Sequence, residues 1–160
     1  MTPCTVFQRS VLLRVTPAEA YAFHEDPRNI TKISPASLTV EMVECSVPAK
    51  AGDEFHLVVS QFGLSLEWVG FWEEAEPDRK LVDGAKKSPF KFWRHQHLFA
   101  PDGKHGENTL MTDRVEYALP FGLLGRLMDK TLMLLIFTVM FRSRHKATKA
   151  FFKKAKKAEV

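Results

Sequence analysis

Two stretches near the middle of the chain alternate between apolar and polar residues with a period of two. Successive residues of a strand point to opposite faces, so each stretch predicts a strand with one mixed face. The first mixed face holds two histidines between two aromatic residues: Trp93, His95, His97 and Phe99. The second holds an aspartate among apolar residues: Met111, Asp113, Val115 and Tyr117. Faces that are apolar at their ends and ionisable in the middle favour a cavity over a dry core.

Similar β-rich runs predict five further strands at residues 5–15, 37–47, 54–61, 64–74 and 79–85. The connections are short and contain Pro or Gly, so neighbouring strands are expected to pair antiparallel. Two helix-start signals follow the first strand, each a capping residue before a proline. Thr16-Pro17 predicts a helix over residues 17–24, and Asp26-Pro27 predicts a second short helix that ends near Ile33.

The last part of the chain predicts one long helix over about residues 124–154, which contains no proline and has glycine only at its start. At about 1.5 Å per residue it would be roughly 45 Å long. Residues 131–141 are apolar nearly all round, yet this run is too short to span a bilayer, which needs about 20 residues. We expect this segment to be buried on more than one side, by the sheet and by other elements or a second protomer.

A hairpin of the two mixed strands, centred near Lys104, would place His95 opposite Asp113. It would also pair His97 with Met111 and Trp93 with Val115. Directly opposed side chains have Cβ atoms about 5 Å apart, which predicts a hydrogen bond between His95 and Asp113. Such a couple fixes the imidazole tautomer, as a general base or a ligand-orienting donor requires. The alternative is purely structural, with Asp113 neutralising a buried polar position, for example with Arg9.

Composition and charge narrow the class of protein. The 160 residues are 45% hydrophobic and 26% charged, which predicts one globular domain over residues 1–160. The net charge is +4, but from Phe121 onward ten Lys and Arg residues face two acidic ones, so this segment carries +8 and the remainder −4. A basic helix can contact nucleic acid or anionic lipid, or it can simply present a solvated face.

Few residues suggest metal or cofactor chemistry. Cys4 and Cys45 are far apart, without the spacing of a disulfide framework or a zinc site. His95 and His97 have no third ligand nearby in the sequence, and no HExxH, P-loop or GxGxxG motif is present. The sequence therefore predicts no metal and no cofactor. The first residues lack a basic segment followed by an apolar one, so a cytoplasmic location is expected.

The order of one strand, two short helices, six strands and a long C-terminal helix resembles the START-related superfamily of pollen allergens, polyketide cyclases and coenzyme-Q-binding proteins. The resemblance covers nearly the whole chain, and it is closest to bacterial polyketide-cyclase-like ligand-binding (SRPBCC-type) members. The residues that carry it are 23–29 with Ile33 and Pro35, 88–90, 93–99, 110–117 and 119–125. The chain has Ser88-Pro89-Phe90 where the family commonly has Gly-Pro-Phe. The resemblance implies an α+β helix-grip fold, with a curved seven-stranded antiparallel sheet, two short helices and a long C-terminal helix.

Three functions follow as expectations. The first is binding or transport of a small hydrophobic ligand, such as a lipid, a polyketide or a quinone-like molecule, between the sheet and the C-terminal helix. The second is a cyclase or dehydratase that moves protons with His95, Asp113 and Tyr117. The third is an adaptor whose basic helix contacts a membrane surface, a ribosome or a protein partner. A homodimer through the apolar part of that helix is also an expectation, and specific nucleic-acid binding is not.

The residues expected to contact the ligand come from three strands and the long helix. They are Trp68, Trp72, Trp93, His95, His97, Phe99, Met111, Asp113, Tyr117, Leu135 and Val139.

Overall fold

A computed structural model describes residues 4–120 and 129–158. Its strands confirm all seven that the sequence predicts. They are β1 (Thr5–Leu13), β2 (Thr39–Cys45), β3 (Glu54–Gln61), β4 (Leu64–Glu76), β5 (Lys80–Lys87), β6 (Phe92–Asp102) and β7 (Asn108–Ala118). They form one antiparallel sheet in the order β1-β7-β6-β5-β4-β3-β2. The two mixed strands, β6 and β7, therefore lie side by side near one end of the sheet.

The predicted register of β6 and β7 is wrong by two residues. His97, not His95, lies opposite Asp113, while His95 lies opposite Val115. The hairpin is longer than expected because Pro101 belongs to the strand and pairs with Thr109. Proline is tolerated there because its nitrogen points to the side of β5 but lies beyond the first residue of that strand, Lys80. The bond from Phe99 N to Arg79 O indicates this direction. A slip of two residues leaves every side chain on its predicted face.

The first helix, α1 (Pro17–His24), has the predicted bounds, and Thr16 caps it as predicted, within a capping box. Thr16 Oγ1 accepts from Glu19 N, and the Glu19 carboxylate accepts from Thr16 N. The second predicted helix is a 3-10 turn (Pro27–Asn29) followed by the short helix α2 (Ile30–Ile33). Asp26 caps the turn by accepting from Arg28 N at 3.0 Å.

The C-terminal helix α3 (Leu134–Ala158) follows a π-helical turn (Asp129–Met133). Residues 124–128 of the predicted helix lie outside the described residues. Phe137 and Phe141 of α3 are 2% and 1% exposed and pack with Phe7, Trp93 and Val115 of the sheet. This is the helix-grip arrangement. No helix among the described residues is both long enough and apolar enough to cross a membrane.

The outer side of α3 differs from the sequence prediction. Leu135 and Val139 are 61% and 60% exposed, so they do not face the cavity. The segment was expected to be buried on more than one side because its apolar residues surround the helix. In the described chain the sheet covers the side that carries Phe137 and Phe141, and no described element buries the opposite side. The proposed second protomer stays a prediction.

Candidate functional site

A cavity of about 520 Å³ lies between the sheet, the short helices and α3. Every element from α1 to α3 contributes a residue to its wall, and most of the wall is apolar. All three tryptophans of the chain border it. Trp68 and Trp93 meet edge to face, with ring centroids 5.0 Å apart. A volume of this size is within the range of about 300–1,000 Å³ that small-molecule sites occupy.

The structure brings together seven of the eleven residues expected to contact a ligand. The seven that border the cavity are Trp68, Trp72, Trp93, His95, His97, Met111 and Asp113. Phe99 and Tyr117 are buried but are not among the bordering residues. Phe99 packs against Tyr21, and Tyr117 packs against Phe90 and Phe137. Phe99 and Tyr117 therefore belong to the core beside the cavity, which places the candidate catalytic Tyr117 away from the other two candidates.

Asp113 is the centre of the polar wall and is 2% exposed. The predicted hydrogen bond from His95 is present, with Nε2 at 3.0 Å from Asp113 Oδ1. It survives the change of register because a diagonal cross-strand neighbour is still within reach of an imidazole. Burial by itself would raise the pKa of the Asp113 carboxyl, but the neighbouring His97 and hydrogen bonds from His145 and His95 outweigh burial and hold that pKa well below its usual range.

His95 lies between two carboxylates. Its Nε2 contacts Asp113, and its Nδ1 is 3.4 Å from Asp83 Oδ2. Asp83 is itself 7% exposed and accepts a hydrogen bond from Trp93 Nε1 at 3.2 Å. Burial opposes a charge on His95, but the hydrogen bonds and negative charges of the two aspartates raise its pKa to about 9. The group Asp83–His95–Asp113 is thus a buried ion cluster with one imidazolium.

Two further histidines border the cavity as neutral side chains. Burial, and then repulsion from His95, lowers the pKa of His97. Burial, and then repulsion from His97, lowers the pKa of His24 to about 3. His24 Nδ1 donates to Ala20 O at 2.7 Å, so its Nε2 is an acceptor, and this atom has no partner among the described residues. A donor group on a ligand would satisfy it.

Arg144 adds a positively charged side chain to the wall and comes from α3. Its guanidinium lies over the Phe141 ring, 5.7 Å from the centroid. Burial lowers the pKa of Arg144, and the nearby Asp113 and Asp83 act in the opposite direction. Its Nε is buried without a hydrogen-bond partner in the described part of the chain. The wall therefore offers a donor as well as an acceptor to a bound molecule.

Sequence reasoning missed four ionisable residues around the polar part of this wall: His24, Asp83, Arg144 and His145. His24 is the last residue of the predicted helix over residues 17–24. Asp83 is in a predicted strand, but its neighbours Leu81 and Val82 are also buried, so no alternation marks it. Arg144 and His145 are within the basic C-terminal segment, whose composition is typical of a helix face exposed to solvent. The spacing of His145 from Phe141 and Phe137 by four and eight residues was the available signal for a shared helix face.

A second concavity of about 780 Å³ is lined by residues 16–18, 76, 78–80 and 98–101. It is open to solvent, and its charged groups pair with each other, as Lys80 does with Glu76 at 3.1 Å. Its described lining residues include no cluster of buried ionisable side chains. The lysines of α3 from Lys146 to Lys157 are exposed, and an anionic partner for them stays a prediction.

Comparison with known proteins identifies the fold only. No family model matches the sequence, and no curated protein does. A Rhodobacter sphaeroides protein of solved structure is 16% identical, with 94% of this chain and 93% of that chain covered and a TM-score of 0.69. A Nitrosomonas europaea protein is 13% identical (94% and 96% covered, TM-score 0.68). Norcoclaurine synthase from Thalictrum flavum is 11% identical (94% and 87% covered, TM-score 0.67). These likenesses agree with the helix-grip fold.

Proposed function

We propose that this protein binds a small, mainly apolar molecule that carries polar groups at one end, such as a lipid, a polyketide or a quinone-like compound. The observation that supports this most is the cavity of about 520 Å³, whose wall is mainly apolar and carries one buried cluster of His, Asp and Arg side chains. Apolar walls provide the free energy of binding, and a few polar groups orient the ligand. Here the apolar part would lie against Trp68, Leu57 and Phe137.

The polar end of the ligand would face the buried cluster. Within it, Arg144 Nε is a donor and His24 Nε2 an acceptor, and neither has a partner among the residues described. A buried polar atom without a partner costs about 1–3 kcal/mol, so a ligand that pairs with either atom recovers this cost. A carbonyl oxygen suits Arg144 and a hydroxyl group suits His24. Ligands with both groups are therefore expected to bind more tightly than plain hydrocarbons of the same size.

The direct test uses the tryptophans as reporters. Binding of a hydroxylated aromatic ketone or a quinone should quench their fluorescence, and native mass spectrometry of protein purified from its own source should show a co-purifying molecule. Val59→Phe narrows the cavity, because Val59 borders it, and is expected to weaken binding at least tenfold. Val6→Phe is the matched control, because Val6 is 50% exposed on the other face of the sheet. Equal binding by both variants would contradict the proposal.

A second candidate is an enzyme of the cyclase or dehydratase type. His97 favours it, because a neutral imidazole beside an ionised Asp113 borders the cavity and is able to accept a proton from a bound ketone. One neighbour of similar fold, norcoclaurine synthase, is by its name an enzyme. Since Tyr117 does not border the cavity, His95, His97 and Asp113 would carry the chemistry. The test is whether the protein exchanges the α-protons of a bound ketone with deuterium. If His97→Gln loses this exchange but keeps its affinity for the ketone, the protein has this function in addition to binding.

A further inference from the structure

Three potential metal ligands meet in the polar wall, although the sequence predicts no metal site. Asp83 of β5 and His95 and His97 of β6 each provide a ligand atom, and these atoms all lie within 4.8 Å of one another. Asp83 and His95 are 7% and 5% exposed, and the His97 side chain is 16% exposed. Adjacent strands hold all three, so the geometry is set by the sheet and not by a loop.

The orientation of His95 is that of a metal-binding histidine. Its Nε2–H donates to Asp113 Oδ1 at 3.0 Å, which leaves Nδ1 directed to the side of Asp83. A carboxylate that accepts from one ring nitrogen while the other nitrogen binds the ion is the usual surrounding of a metal-bound histidine. Two atoms bound to one ion at about 2.0–2.2 Å are themselves about 3–3.5 Å apart. The distance of 3.4 Å between His95 Nδ1 and Asp83 Oδ2 agrees with this value.

His97 supplies an independent observation. Its Nδ1 is 2.7 Å from Asp113 Oδ1, but the two atoms are not aligned for a hydrogen bond, and this buried nitrogen has no other partner in the described ranges. This nitrogen would gain a partner by binding an ion, and the same ion would lie beside the Asp113 carboxylate. The two buried carboxylates, Asp83 and Asp113, likewise require positive charge close by. A divalent ion held by Asp83, His95 and His97 would supply it.

We propose that Asp83, His95 and His97 bind one divalent transition-metal ion, with Asp113 as the residue that orients His95. Two imidazoles and one carboxylate suit Zn²⁺, Fe²⁺ or Co²⁺, whereas Mg²⁺ and Ca²⁺ prefer oxygen ligands. The three ligands leave coordination positions open toward the cavity, which they all border. An oxygen atom of a molecule in the cavity would have access to the ion. Metal binding does not depend on the proposed ligand binding, because it requires only side chains of this chain.

The experiment is calorimetric titration of chelator-treated protein with Zn²⁺, and with Co²⁺ monitored by visible absorption. We expect one ion per chain and a loss of affinity of 10- to 100-fold or more in Asp83→Asn and in His97→Gln. His56→Gln is the control, because His56 forms a surface pair with Glu54 at 3.6 Å and would report adventitious binding. The control should bind like the unchanged protein, and Mg²⁺ should not compete.

Two outcomes would overturn the proposal: no saturable binding of one ion by the unchanged protein, or binding that is lost in His56→Gln and kept in His97→Gln. If Asp83→Asn or His97→Gln does not fold, imidazole ¹⁵N spectra of the unchanged protein test the proposal instead. Zn²⁺ should then shift the ring nitrogens of His95 and His97 and leave those of His56 and His105 unaltered. The reverse pattern would contradict the site. Neither readout uses a cavity ligand, so failure here leaves the proposed function standing.

Discussion

His145 of α3 and Asp113 of β7 are joined by a hydrogen bond, with Nε2 at 2.5 Å from Oδ2. The bond connects the C-terminal helix to the sheet at the polar wall of the cavity. Because Asp113 also accepts from His95, one carboxylate organises side chains of β6 and α3 together. Changes at Asp113 are therefore expected to affect both stability and the site.

Asp113→Asn removes the negative charge while keeping the volume of the side chain. The free energy of unfolding is expected to fall by about 3 kcal/mol, since hydrogen bonds from several imidazoles to a buried ion are lost. Urea unfolding followed by circular dichroism measures this. Asp102→Asn, at the exposed end of the same hairpin, should change stability by less than about 0.5 kcal/mol. Equal effects of the two changes would show that Asp113 is not the centre of the cluster.

His145→Ala tests the link between helix and sheet. We expect a loss of about 2 kcal/mol, because Asp113 loses a charged hydrogen bond. Hydrogen exchange should become faster in α3 than in β6 or β7. The neighbouring Lys146→Ala is the control, since Lys146 is exposed and should leave stability and exchange nearly unaltered. Uniformly faster exchange across the sheet would argue against a specific role in attaching the helix.

The two sides of α3 should respond very differently to truncation. Phe137→Ala removes a ring that is 2% exposed and packs on Phe7 and Tyr117, which predicts a loss of about 3–5 kcal/mol. Leu135→Ala, two residues earlier, should cost less than about 0.5 kcal/mol, because Leu135 is 61% exposed. Thermal unfolding of dilute protein measures both. A large loss in Leu135→Ala that grows with protein concentration would instead indicate that a second protomer covers this side.

The capping box of α1 predicts a pH dependence. Hydrogen bonds from the backbone and side chain of Thr16 lower the pKa of Glu19 below its ordinary value of 4.5. The stabilisation is therefore present above the unfolded-state pKa and is lost as the pH falls through the lower, folded-state pKa. Glu19→Gln should be less stable than the unchanged protein at pH 7, by no more than about 1 kcal/mol, and this difference should shrink below about pH 4. A constant difference from pH 7 to pH 3 would contradict this assignment.

Local patterns determined the elements of this protein. Alternation predicted β6 and β7 because only one face of each strand lies against the interior, and the pairs Thr16-Pro17 and Asp26-Pro27 predicted where the short helices begin. These signals depend on neighbours within a few residues, so one sequence is enough to read them. The faces of His95 and Asp113 were also determined locally, since a strand alternates strictly.

Tertiary structure decided the site. Asp83 joins His95 only because β5 lies beside β6, and His145 joins Asp113 only because α3 crosses the sheet at that depth. Spacing along the chain does not predict either contact: it places His145 on the same helix face as Phe141, but it does not select Asp113 as the partner. Tertiary structure likewise decided which side of α3 is buried. Apolar residues lie on all sides of this helix, and only packing against the sheet buries Phe137 and leaves Leu135 exposed. Tertiary structure also decides the protonation of His24, His95 and His97. Burial and neighbouring charges shift their pKa values, and both of these causes depend on distances between elements that are far apart in sequence.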